Sequence, residues 1–176
     1  MTRLLVVCTA NLVRSPFAAA ALTRSIPHYY DIDSAGLAAA DGDEIPLDVL
    51  QDMRRYVLDL SKHRSRRVTP SDVRRSALVL GMTEAHREAL QSMVPAATPQ
   101  TFTLMEFVRL AETVPRLSEH DGVERFIAAV HRQRPRIEAP TISEDIEDPL
   151  GKPAASLRAC IDELAALAER VGARFH

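Results

Sequence analysis

The chain has no tryptophan, only two cysteines and only two lysines among its 176 residues. Without tryptophan there is no indole to stack on an aromatic ligand. Cys8 and Cys160 lie near opposite ends with no paired spacing, which fits neither a disulfide framework nor a cysteine-rich zinc site and suits a reducing cytoplasm. Long apolar runs are also missing: none approaches the ~20 residues a membrane helix needs, so no membrane insertion is expected. The apolar start, Leu4 to Val7, ends at a cysteine rather than a small-residue cleavage site, so no signal peptide is expected either. Charge of one sign does not dominate: 22 basic and 24 acidic residues give a formal charge of -2, too little field to attract nucleic acid or an anionic membrane. Because Lys62 and Lys152 are the only lysines, the basic charge is almost all arginine. The runs Arg64, Arg66, Arg67 and Arg132, Arg134, Arg136 follow that composition and are expected to form solvated faces.

What is present is a chain 46% hydrophobic and long enough to bury a core, for which one α/β domain spanning 1–176 is the expectation. Arg3 to Cys8 is a short apolar run ending in a polar turn, as a buried parallel strand does before a helix. Ser15-Pro16 then opens a helix to about Ser25, with proline at a first-turn position where its missing N–H costs nothing. Asp31 to Ser34, closing on Gly36, reads as a second strand, and Pro46 with Leu47, Val49, Leu50 and Met53 as an amphipathic helix. Ala77 to Met82 is a third strand before a helix start at Thr83-Glu84, and Thr101 to Leu104 a fourth. Further helices are expected over Met105–Leu110, Val123–Val130 and Ala154–Val171, with loops from Glu112 to Asp121 and from Gln133 to Pro153. Strands alternating with helices predict a four-stranded parallel sheet with helices on both faces.

The chemistry is expected where the first strand meets the first helix, along Cys8-Thr9-Ala10-Asn11-Leu12-Val13-Arg14-Ser15-Pro16. A helix N-terminus offers unpaired N–H groups and about half a positive charge, and five residues between Cys8 and Arg14 form a loop short enough to wrap one phosphate. The thiolate is the attacking form of cysteine, and a helix N-terminus, a guanidinium and the Ser15 hydroxyl would all favour it. Arg14 can hold two phosphoryl oxygens at once, contacts that tighten as charge spreads in the transition state. The Cys-to-Arg spacing alone says little in so arginine-rich a chain. Its context is what carries the reading: an apolar strand ending at Cys8, small and polar loop residues and Ser-Pro at the helix start.

These residues resemble the low-molecular-weight protein tyrosine phosphatases, which open with a strand and then Cys-x-Gly-Asn-x-x-Arg-Ser-Pro. The likeness continues through Asp33-Ser34-Ala35-Gly36, His63-Arg64-Ser65-Arg66 where the family carries His-x-Ala-Arg, Met82-Thr83-Glu84, and Ile146-Glu147-Asp148-Pro149. The resemblance implies a phosphate loop between strand 1 and helix 1, Cys8 as nucleophile forming a phosphocysteine, Arg14 as phosphate clamp and Asp148 as general acid and then base. Thr9, Ala10, Asn11, Leu12, Val13 and Ser15 would form the substrate-binding loop, with Ser34 and His63 supporting it. Asn11 suits such a loop because asparagine tolerates the left-handed backbone. Neither cofactor nor metal is implied. The substrate would be a phosphotyrosine protein or small aryl phosphate, and the chain a monomer or weak dimer.

Three departures from the family stand out. Ala10 takes a glycine's place, which is costly if that residue needs positive φ. Val13 replaces a second cysteine, so Cys8 lacks a neighbouring thiol to protect it by a disulfide; Cys160 is expected in the core. Leu150-Gly151 stands where the family has aromatic residues, leaving Thr9, Leu12, Leu37 and Leu150 to line an aliphatic entrance. The acidic run Glu144, Asp145, Glu147, Asp148 is expected to be mostly solvated apart from Asp148. Two other functions stay open: an arsenate reductase, which would need a thiol relay for which only Cys160 is available, and a low-activity phosphate-binding regulatory protein.

Overall fold

The computed structural model describes residues 1–117, 122–138 and 140–175. Four strands, β1 (Thr2–Cys8), β2 (Tyr30–Gly36), β3 (Leu78–Gly81) and β4 (Thr101–Thr103), form one parallel sheet in the order β2-β1-β3-β4. Among the described residues seven helices accompany them: α1 (Arg14–Ser25), α2 (Leu47–Met53), α3 (Pro70–Arg75), α4 (Glu84–Met93), α5 (Leu104–Ala111), α6 (Val123–His131) and α7 (Ala154–Gly172). The expected elements are all found, with ends moved by a residue or so. Two short 3-10 turns, Arg54–Tyr56 and Pro95–Gln100, were not foreseen. Nor was α3, although Thr69-Pro70-Ser71-Asp72 carries its signature: Thr69 and Asp72 make a reciprocal capping box with proline in the first turn. The expected loop at 112–121 lies partly outside the described residues.

Alternation along β1 divides the core. Leu4, Val6 and Cys8 face one side with Leu78, Leu80 and Phe102, packed under α1, α2, α5, α6 and α7. Leu5, Val7, Ala35 and Val79 face the other, against Val73 of α3 and Leu90 of α4. Both faces are covered, which is why Leu4–Cys8 of β1 and Leu78–Leu80 of β3 are continuous apolar runs. Among the described residues no helix is long and apolar enough to cross a membrane.

The arginine runs do not follow the solvated reading throughout. Arg67, Arg132 and Arg136 are exposed, as expected. Arg66 instead bridges Asp33 and Asp72 at 2.7 and 3.0 Å, and Arg3 joins the same two carboxylates at 2.5 and 3.4 Å. Arg134 lies 4.1 Å from the Phe102 ring centre, donates to buried Glu106 at 2.8 Å and to the Thr98 and Thr101 carbonyls. Alternate arginines here point to different sides of the chain, a placement composition does not encode.

Candidate active site

All four strands point their C-terminal ends the same way, and the residues singled out in sequence converge there. Cys8 ends β1 and is buried; α1 begins six residues later. The start of α1 has no side-chain cap and no acidic residue in its first turn, whereas α3, α4 and α5 open on Thr69, Thr83 and Thr103 caps. No side chain therefore caps the first-turn N–H groups of α1, the kind of helix start that can hold an anion.

Cys8 Sγ accepts the Asn11 backbone N–H at 3.2 Å and lies 3.0 Å from Ser15 Oγ, which also reaches the Ala35 carbonyl at 3.2 Å. Asn11 is fully buried with φ of 58°, the left-handed conformation its short polar side chain tolerates. Its amide donates to Ser15 Oγ at 3.0 Å and to Ser34 Oγ at 2.9 Å, and its side-chain oxygen accepts the Arg66 backbone N–H at 3.0 Å. His63 donates from Nε2 to the Asn11 carbonyl at 2.8 Å. Ser34, His63 and the Arg66 backbone are thus all hydrogen-bonded to Asn11 of the loop.

Asn11 and Val57 are the non-glycine residues at positive φ among those described, so Ala10 is not at positive φ and its Cβ brings no such penalty. The glycine this loop requires is Gly36: a Cβ there would sit 2.5 Å from the Thr9 carbonyl oxygen and 3.0 Å from the Ala10 carbonyl carbon. Backbone bonds from Leu37 and Ala38 to the Cys8 and Thr9 carbonyls, each 2.9 Å, draw β2's exit against the loop.

Arg14 crosses the mouth, its side chain 3% exposed. It donates to the Ile146 carbonyl at 3.0 Å, to Asp148 Oδ2 at 2.5 Å and more weakly to Thr9 Oγ1 at 3.4 Å. Its Nε is buried with no partner, a donor that an anion in the loop would satisfy. Asp148 is half-buried and also accepts the Leu150 N–H at 3.2 Å.

The acidic run is less solvated than its composition suggested. Glu144 is held bidentately by Arg109 at 2.6 and 2.9 Å, and Asp145 accepts the Glu84 N–H at 2.7 Å, completing the start of α4. Ile146 N–H bonds the Met82 carbonyl at 2.8 Å. Asp145 and Glu147 match the solvated reading in being exposed, Glu147 paired with Lys152. These ties dock the loop on the ends of β3 and α4 and aim Asp148 at Arg14. At the entrance Thr9 and Leu150 are exposed and Leu12 and Leu37 half-buried, while Val13 is buried. Cys160 is a buried free thiol on α7, and burial pushes it up to about 12.

One site residue left no mark in the sequence. His86, in the first turn of α4, is buried with Nε2 2.9 Å from Thr9 Oγ1. Burial, helped by the nearby Arg14 charge, lowers its pKa to about 4, so its imidazole is neutral near neutral pH.

Comparison with known proteins places this arrangement. The family profile described as low molecular weight phosphotyrosine protein phosphatase matches residues 3–121. A probable low molecular weight protein-tyrosine-phosphatase, EpsP, of Ralstonia nicotianae is 33% identical over 129 residues, covering 73% of this chain and 88% of its own. A protein-arginine-phosphatase of Geobacillus stearothermophilus is 31% identical over 169 residues, 96% of this chain and 93% of its own. The solved structure of the YwlE arginine phosphatase from Geobacillus stearothermophilus superposes with a TM-score of 0.73 at 30% identity, over 98% of this chain and 92% of that one. By sequence along most of its length and by fold along nearly all of it, the chain belongs to the low molecular weight phosphotyrosine protein phosphatase family.

Proposed function

We propose that residues 1–176 form one phosphatase domain that hydrolyses phosphomonoesters through Cys8, acting as a cytoplasmic protein-tyrosine phosphatase. The observation that carries this reading is a buried sulfur flanked by the Asn11 N–H and the Ser15 hydroxyl, facing an uncapped helix start and an arginine with an unsatisfied Nε.

The steps follow from that placement. The phosphoryl group enters the loop, and Arg14 gives its equatorial oxygens the donors now directed at Asp148 and left idle at Nε. Cys8 Sγ bonds to phosphorus as the bond to the ester oxygen breaks, and Asp148 delivers a proton to that oxygen. Asp148, now a carboxylate, takes a proton from water whose oxygen attacks phosphorus. The sulfur–phosphorus bond breaks, releasing inorganic phosphate and the Cys8 thiolate, to which Ser15 offers its hydroxyl proton. Amides and a guanidinium aimed at developing charge in a water-poor loop supply the main stabilisation.

Phosphotyrosine proteins or small aryl phosphates are the substrates of this reading, met by a monomer or weak dimer. Protein-arginine phosphatase is the second reading, favoured by the Geobacillus relative that aligns along 96% of this chain and by an entrance with Leu150 in place of an aromatic residue. A thiol relay to reduce arsenate is chemically weak, because burial keeps Cys160 protonated. The test is hydrolysis of a phosphotyrosine and a phosphoarginine peptide by wild type, Cys8→Ser and Asp148→Asn. Wild type is expected to cleave phosphotyrosine faster, and both variants to fall by at least about a hundredfold. Undiminished turnover in Cys8→Ser refutes the mechanism, and preference for phosphoarginine moves the substrate to the second reading.

A further inference from the structure

His86 is built into its place. Its backbone N–H donates to Thr83 Oγ1 at 3.2 Å, fixing the first turn of α4. Gly81, at the end of β3, leaves space for it: a Cβ there would approach His86 Cβ to 3.0 Å and the Arg87 nitrogen to 3.2 Å. His86 is 6% exposed and its ring is hydrogen-bonded to the anion loop from Nε2 to Thr9 Oγ1, while Nδ1 is buried with no partner.

The unpartnered Nδ1 decides the tautomer. A proton there would strand a buried N–H donor, whereas a bare lone pair leaves only an unused acceptor, the more common and cheaper vacancy. An imidazolium would strand the same donor and add a cation beside Arg14; Asp145 and Asp148, the nearby acids, pull the other way but do not prevail over burial. The neutral ring with hydrogen on Nε2 is left, donating to Thr9 Oγ1. Arg14 donates weakly to the same oxygen at 3.4 Å. With both lone pairs of the hydroxyl occupied, its own proton has to be donated elsewhere, and Thr9 is the first residue of the loop that wraps the anion.

We propose that His86 is a positioning residue for the anion site, its Nε2–H turning the Thr9 hydroxyl proton onto the bound phosphoryl group. This rests on the loop being the anion site, and it does not require hydrolysis. Thr9 then adds a neutral donor to those of the amides and Arg14, and His86 acts on the anion only through it.

Two measurements test the inference. In protein labelled with nitrogen-15 in histidine, the His86 signals should report a protonated Nε2 and a bare Nδ1, with and without inorganic phosphate; a protonated Nδ1 overturns the proposal. Phosphate affinity is then measured for Thr9→Val, His86→Leu, the pair together and His86→Gln, with melting curves to show that each is folded. Each single change should weaken binding about tenfold, the pair should be no weaker than one alone, and glutamine, which keeps a donor, should restore most of the loss. Multiplicative losses in the pair, or glutamine as poor as leucine in a folded protein, overturn the proposal. Multiplicative losses with hydrolysis intact refute this role alone, while phosphate binding as expected without hydrolysis by wild type refutes only the phosphatase reading.

Discussion

Asn11→Ala should damage this protein more than any other single side-chain deletion in the loop. It removes three hydrogen bonds, two buried ones donated to Ser15 and Ser34 and a part-buried one accepted from the Arg66 backbone. At a net contribution of roughly 1 kcal/mol each, that is about 3 kcal/mol. Alanine must also hold φ of 58°, which adds about 1 kcal/mol. The sum, about 4 kcal/mol, is a large part of the 5–15 kcal/mol that stabilises an ordinary domain, and it should lower the melting temperature by on the order of 10 °C. Asn11→Gly separates the two contributions, since glycine keeps the backbone and loses the bonds; it should recover about 1 kcal/mol. Urea unfolding at constant slope measures both variants. Activity, assayed well below the melting transition, should fall about a hundredfold in each because the loop that aims at phosphorus is no longer pinned. A loss below about 1 kcal/mol for alanine, or glycine no better than alanine, would refute the idea that this side chain holds a strained loop.

Three other outcomes follow from particular contacts. Gly36→Ala forces a Cβ to within 2.5 Å of the Thr9 carbonyl oxygen, so the loop backbone must move; activity should drop more than about tenfold with a stability loss of about 2 kcal/mol, read by kinetics and melting together. Acidification should weaken the fold in two stages. His86 has a folded pKa of about 4 against an ordinary 6.5, so the unfolded chain binds the extra proton; full stability is present above 6.5, and up to about 3 kcal/mol is lost as pH falls towards 4. Urea midpoints through that window should lose this slope in His86→Gln. Glu106 acts lower: burial tends to raise it, but hydrogen bonding and attraction from Arg134 and then Arg87 outweigh burial and hold it below 4.5. Its contribution is present above 4.5 and lost as pH falls through the folded value, so Glu106→Gln should flatten the acid limb of the same titration.

What could be read from the residues alone was whatever is local along the chain. The strand ending at Cys8, the Ser15-Pro16 helix start, Asn11 in the left-handed region and the alternation of strands with helices are encoded within a few neighbours, and all are present in the fold. The α3 helix was equally local, but its six residues are too few for helical periodicity to show. Only the tertiary structure could settle the rest. That Arg14 meets Asp148 from 134 positions away, that Arg66 rather than Arg67 turns inward, that Gly36 rather than residue 10 is where a Cβ would jam the loop, and that His86 reaches Thr9 all depend on the strand order β2-β1-β3-β4. That order sets the ends of β1, β2 and β3 side by side, and hydrogen bonds and close contacts between distant segments leave no periodic trace in either of them.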